Sequence, residues 1–437
     1  MERKLAIAIL PWVVLVSGCT TETVGDWSQW RGPGGLGISD HQSLPVTWSS
    51  ESSNVRWKTE LPGVGNSSPI VSNGRVYLTV ADRDSEDDSE EPSEWWRSVV
   101  SVDMVDGTLL WKTPIFSARR ERPHVLNTIA APTPVSDGRH VFVYFGSFLA
   151  SVDRDGEIVW KKEIDPTYAK FSRYGAASSP VLVTGAVVVV QDREFMVDRR
   201  PGKGDSQDRG WIAAFDRDSG EEIWTTYFEK SCCSYSTPLV MRRGQDEEIL
   251  FAHSGSVVSY DAMSGERLWS RELEMWQMVS SPVTEGDLLA VSGGAHNIKG
   301  NFVMRLHGSG KDTSTELLWE SHRYVPQTSS PVLYQGRLFT VTDQGVLVCY
   351  EAETGRELWK KRLRHARSRA SLVAGDGKLY VTSEGGWVSV VAADSTYQLL
   401  GENSLGELGS NASPAIADGC LLIRMKQHLV CIENEGV

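Results

Sequence analysis

Two adjacent cysteines, Cys232-Cys233, are the sharpest chemical feature of this chain. In an oxidising compartment such neighbours can pair as a vicinal disulfide; the plainer reading is a structural or incidental pair. A second cluster is an insert at residues 82–96, where Asp82, Asp84, Glu86, Asp87, Asp88, Glu90, Glu91 and Glu94 stand against a single Arg83. Calcium takes carboxylate oxygens. The spacing does not match an EF-hand loop and no Gly sits at its turn, so a solvated loop is the preferred reading. Basic residues gather in residues 114–129 (Arg119, Arg120, Arg122, His124) and 194–210 (Arg199, Arg200, Lys203, Arg209). They could face the acidic insert or an anionic ligand; a solvated face is preferred. Gly308-Ser309-Gly310-Lys311 lacks the earlier Gly of a phosphate loop. No Gly-x-Ser-x-Gly elbow occurs, and the nine His show no zinc spacing. No catalytic residue and no metal ligand are therefore assigned. Cys420 and Cys431 fall nearly opposite on neighbouring strands, as a cross-strand disulfide or two buried thiols, and Cys349 is left unpaired.

The elements that would position these groups are announced by a repeat. Asp216-Arg217-Asp218-Ser219-Gly220-Glu221-Glu222-Ile223-Trp224 returns as Asp261 through Gly265 to Trp269, and as Glu351 through Gly355 to Trp359. A period of roughly 40–50 residues marks a propeller or solenoid. Each repeat opens on a Ser/Thr-Pro step: Ser68-Pro69, Thr133-Pro134, Ser179-Pro180, Thr237-Pro238, Ser281-Pro282, Ser330-Pro331, a degenerate Ser371-Leu372, and Ser413-Pro414. A strand follows, then a tight turn such as Asn73-Gly74 or Asp376-Gly377, then a strand with period-2 alternation such as Arg75-Val76-Tyr77-Leu78-Thr79. A third strand ends near the Asp and a fourth carries the Trp. Four antiparallel strands per repeat make one blade.

The fourth-strand anchors are Trp111, Trp160, Trp224, Trp269, Trp319 and Trp359, with Leu399 or Leu400 in the seventh repeat. The eighth runs out after Gly436, and its fourth strand is found at the other end of the chain, around Trp57. The expectation is an all-β, eight-bladed propeller over residues 54–437, closed by an N-terminal strand that removes two sheet edges. The repeated Trp residues are read as packing wedges between blades. Loops before each first strand and between second and third strands share one face, and the inserts concentrate there, so binding is expected there.

At 23% charged and 40% hydrophobic residues the chain is globular. A formal net charge of −13 argues against nucleic acid as partner. Arg3 and Lys4 precede an apolar run, residues 5–16, too short to span a bilayer. The run ends in Leu15-Val16-Ser17-Gly18-Cys19, which resembles the bacterial lipobox. Residues 1–19 then form a lipoprotein signal with the lipid on Cys19, the plainer alternative being an ordinary signal peptide with an incidental Cys, and residues 20–53 lead into the propeller. Thr20 rather than Asp after the Cys favours the outer membrane.

The stretch from Ala214-Phe215-Asp216 through Ser219-Gly220 to Trp224 resembles the tryptophan-docking motif of the pyrroloquinoline quinone (PQQ) repeat family. Asp26-Trp27-Ser28-Gln29-Trp30-Arg31-Gly32-Pro33 is similar to the opening of exported members of that family. The family holds quinoprotein alcohol dehydrogenases and non-catalytic BamB-like lipoproteins of outer-membrane barrel assembly. The resemblance implies an eight-bladed propeller and two roles. One is a monomeric, lipid-anchored scaffold that needs no cofactor and recruits envelope proteins. The other is a PQQ- and calcium-dependent dehydrogenase, with Cys232 and Cys233 as a disulfide beside the quinone. The chain shows neither that enzyme's Asp base and calcium ligands on recognisable motifs nor a Cys-x-x-Cys-His haem site. A third reading is a glycan-binding module using Trp95 and Trp96.

Overall fold

A computed structural model describes residues 26–83, 94–119, 127–168, 174–193, 209–229, 234–365 and 367–434. Cys19, Cys232-Cys233, the centre of the acidic insert and most of the basic inserts lie outside the described residues. Eight blades of four antiparallel strands stand in chain order around a ring, one of them with a short fifth strand added. The fourth blade shows the plan, with strands Leu239–Arg243, Asp246–His253, Ser256–Asp261 and Arg267–Glu272. The chain is an eight-bladed β-propeller, as its repeat requires.

The middle strands do not alternate between core and solvent. In Arg75–Arg83 every residue from Val76 to Ala81 is buried, Tyr77 and Thr79 included. Each sheet is covered on both faces by its neighbours, so both side-chain rows are withdrawn from water. Alternation survives on outer strands such as Arg267–Glu272. In the first blade, Pro114 and the residues up to Arg119 belong to the outer strand Leu109–Arg119 rather than to a connecting loop. The register shifts between Arg97 and Ser98, opposite Pro114, so a residue without an N–H is absorbed at a bulge on an edge strand.

The Ser/Thr-Pro step has a purpose that its turn-like look conceals. The amide of Ser68 donates to Thr133 Oγ1 (2.8 Å), Thr133 to Ser179 Oγ (3.0 Å) and Ser179 to Thr237 Oγ1 (3.0 Å). The chain of bonds continues through Ser281, Ser330, Ser371 and Ser413, and Ser413 donates back to Ser68 Oγ (2.9 Å). The residue before Pro is extended, so its N–H points out of its own blade and is satisfied by the next hydroxyl. The seventh repeat lacks the Pro but keeps the hydroxyl of Ser371. Ser371→Ala is expected to orphan the buried Ser330 amide and cost about 1–3 kcal/mol in urea unfolding. Ser371→Thr is expected to stay near wild type.

The indoles staple each blade to the next. Nε1 of Trp57, Trp111, Trp160, Trp224, Trp319 and Trp359 donates to the backbone oxygen of Met104, Arg154, Arg217, Ala262, Ala352 and Asp394 in turn, at 2.6–3.2 Å. The following turn's glycine lies on the ring: a Cβ at Gly107 would come within 2.7 Å of the Trp57 indole, and φ there is +76°. Trp269 departs from this rule. The fifth blade's turn is a 3-10 segment, Gly310–Asp312, and Trp269 donates instead to the Glu248 carboxylate (2.9 Å). That carboxylate is fully buried and also accepts Ser259 Oγ (2.6 Å) and the Gly310 amide (2.9 Å).

In the seventh blade the anchor position falls on Gly401, opposite Val390, rather than on Leu399 or Leu400. A bulge before this position recurs in the other blades and moves the register by one. A side chain at Gly401 would collide with the Val46 carbonyl, because the lead-in chain occupies that space. It brings its own indole: Trp48 is buried in the core shared by blades seven, eight and one, its amide bonded to Asn403 Oδ1 (2.9 Å).

The ring closes through Val55–Glu60, antiparallel to His428–Ile432 with Trp57 opposite Cys431. Cys420 and Cys431 are diagonal rather than opposed, since Leu422 faces Cys431. Both are free thiols, as is the buried Cys349. The bond with Cys431 and the Arg56 guanidinium pull the Cys420 thiol down to about 7, while Cys431 is driven up by that same bond and by burial.

Candidate functional site: the loop-face channel

The hydroxyl ring surrounds a central channel. Its two ends differ because residues 26–39 run beneath the end where the first-to-second-strand turns lie. Trp27 exchanges backbone bonds with Val71 (2.9 and 3.0 Å), and the Ser28 carbonyl accepts the Ser136 amide (2.8 Å). Ile38–Ser39 adds a parallel strand to Val373–Gly375 of the seventh blade. Arg31, fully buried, donates to Pro331 O (2.6 Å) and Leu372 O (3.3 Å), and burial lowers its pKa to about 9. This segment presents Trp30 to the closed end of the channel.

Above Trp30 lies a cavity of about 400 Å³. Its wall is the ring of Ser and Thr, then the amide side chains Asn66, Asn127, Gln277, Gln327 and Asn411. Tyr174 and Tyr235 meet edge to face at 5.6 Å on one side. Among the described residues no Asp or Glu lines it, and its one guanidinium, Arg369, is paired with Glu384 and lies 3.8 Å from Asp343. Such a wall can hydrogen-bond polar groups and stack on flat ones. Among the described lining residues the one imidazole is that of His296, and no carboxylate is present to take up a proton.

Behind Tyr235, between blades two, three and four, sits a buried polar cluster. Asp165 pairs with Arg193 (2.7 Å), and Tyr144 donates to Gln191 (2.7 Å). Asp192 accepts the Ser234 amide (2.8 Å) and lies 3.6 Å from His253 Nε2. Burial raises the Asp192 pKa, opposed by His253 and the backbone bonds. Cys232-Cys233, which precede Ser234 in the sequence, lie outside the described residues.

A calcium–quinone site asks for an indole, a cation and carboxylate oxygens. Trp30 and Arg369 are in place, but the described lining supplies no carboxylate, and no cluster of three metal-ligating side chains occurs among the described residues. The described residues do not fit that group. Asp82, at the rim of the acidic insert, is paired with Lys112 (2.6 Å). Trp95 and Trp96 are half-buried along the strand Glu94–Asp103, with Arg83 5.7 Å from the Trp95 ring, and neither lines the channel that Trp30 faces. The importance of Trp30 was signalled only by the density of aromatics in residues 27–30, and that of Glu248 by nothing local.

Beside the channel the same face carries a groove of about 980 Å³ over blades seven, eight and one. It shares Asn66, Asn127, Arg369 and Asn411 with the channel.

A family model described as outer membrane protein assembly factor BamB matches residues 96–298 and 308–435. Outer membrane protein assembly factor BamB of Escherichia coli K12 is 26% identical over 194 residues, 41% of this chain and 45% of that protein; the match thus spans less than half of the curated relative. The structure of BamB from Moraxella catarrhalis is similar with a TM-score of 0.55 at 13% identity, covering 89% of this chain and 99% of that one. A quinohemoprotein alcohol dehydrogenase from Comamonas testosteroni gives 0.60 at 11% identity, over 95% of this chain and 81% of that one. Likeness at such identities is a likeness of fold, and one fold hosts several functions.

Proposed function

This chain belongs to the family of outer membrane protein assembly factor BamB, PQQ-like β-propellers, and from that premise we propose that it is a non-catalytic scaffold of the bacterial envelope. It is anchored through a lipid on Cys19, faces the periplasm, and recruits envelope proteins through its loop face. The observation that carries this reading is the described channel wall: hydroxyls and amides around a paired guanidinium, one imidazole (His296) and no carboxylate. A wall of that kind is suited to hydrogen-bonding a partner. The connections that line it are carried on a closed ring of blades, the usual arrangement for recognition.

The second reading, a PQQ-dependent dehydrogenase, is favoured by Trp30 at the closed end and by Cys232-Cys233 next to Ser234. The two separate cleanly. Titrating the full chain with PQQ and calcium in a calorimeter is expected to give no heat at micromolar quinone. The same mixture is expected to leave an artificial electron acceptor oxidised with any alcohol or sugar. Turnover in that assay would sink the scaffold.

A further inference from the structure

The most basic stretch of this acidic chain is residues 360–369, where six of ten residues are Lys or Arg and none is Asp or Glu. It leads into the seventh blade and forms one wall of the groove beside the channel. Within it, the His365 ring lies flat on Trp387, centroids 3.8 Å apart and planes 7° apart. Exposed Val64 (48%) and Leu408 (54%) add apolar surface to the same lining. Arg367 and Lys426 are exposed on the lining, and neither side chain meets a carboxylate among the described residues. Among the described residues the one lining acid, Glu384, is taken by Arg369.

We propose that this groove binds an acidic polypeptide segment that carries an aromatic or large aliphatic side chain. The inference rests on the scaffold reading and names the chemistry of its partner. An apolar side chain of the partner would cover the His365–Trp387 platform, and its carboxylates would meet Arg367 and Lys426 at the rim. The net charge of −13 selects against extended polyanions. A nucleic acid or a strongly anionic lipid patch laid across the groove meets the charge of the whole molecule, whereas screening within about 8 Å lets a short acidic segment see only the local cations. The groove exceeds the channel in volume, about 980 against 400 Å³, which suits a length of chain rather than one small molecule.

Fluorescence anisotropy with a labelled peptide of alternating glutamate and phenylalanine tests this on the full chain. That peptide is expected to bind. A lysine–phenylalanine counterpart and an all-glutamate peptide are expected to bind at least about tenfold more weakly. The double variant Arg367→Glu, Lys426→Glu alters two exposed side chains, so its far-UV spectrum should be unchanged while affinity drops by about tenfold or more. Equal binding of acidic and basic peptides, or unchanged affinity in the folded double variant, overturns the proposal. So does binding to phosphatidylglycerol vesicles that the double variant abolishes without any peptide binding. Sedimentation that shows a dimer dissolved by the double variant also overturns it, assigning the groove to a second copy. Each of these results leaves the scaffold reading intact, since a partner can use another part of the face. Turnover with PQQ removes the scaffold whatever the peptides do.

Discussion

A chain begun at Leu61 is expected not to reach a cooperative folded state. It lacks Val55–Glu60, so His428–Ile432 becomes an open edge bounded by an empty wedge where Trp57 stood. It also lacks Trp48, which packs into the core of blades seven, eight and one, and the buried Arg31 that joins blades six and seven. Removing one large buried aromatic costs about 3–5 kcal/mol, and a whole domain is stable by only about 5–15 kcal/mol. The truncated chain should elute as aggregate and melt without a sharp transition, because unpaired strand edges associate. Trp57→Ala in the full chain isolates the wedge, with about 3–5 kcal/mol lost in urea. A truncated chain melting cooperatively within a few degrees of wild type would show that seven and three-quarter blades hold themselves.

Glu248→Ala is expected to be nearly as damaging, although its side chain touches no solvent, channel or groove. Its carboxylate satisfies Trp269 Nε1, Ser259 Oγ and the Gly310 amide at once. Elsewhere a backbone carbonyl of the next blade takes the indole proton, but the fifth blade's 3-10 turn replaces that carbonyl with an amide donor, and an acceptor has to come from the fourth blade. Loss of the side chain leaves three buried donors unmet, at about 1–3 kcal/mol each before relaxation, so a total near 3–5 kcal/mol is expected. Glu248→Gln keeps acceptor oxygen but adds a donor pair, and should fall between Ala and wild type. Trp269→Phe combined with Glu248→Ala should cost less than the sum, since the two share a bond. Strict additivity in that cycle would refute the shared-bond account.

The blade count, the strand order and the closing strand around Trp57 were legible in the chain because each depends on spacing within one repeat. A turn glycine four residues before a Trp, or a hydroxyl before a strand, recurs at a fixed distance whatever lies across the molecule. The seventh anchor was misplaced by one bulge, since Leu399 and Leu400 look like the natural substitutes. What lay under Gly401 was a segment more than 350 residues earlier, Val46–Trp48, bonded to Asn403. In the sequence the Ser/Thr step only marks each repeat; the closed ring shows each hydroxyl serving the amide of the blade before it, down to Ser413 and Ser68 at 345 residues apart.

The candidate site divides along the same line. The sequence placed the loops on one face, because strand order alone decides which connections emerge together. It could not place Trp30 beneath the channel or bring His365, Trp387, Leu408 and Val64 to one groove. Local periodicity is written in each repeat and acts at short range. Those neighbours meet because the ring closes, and closure is a property of the whole toroid that no single repeat contains.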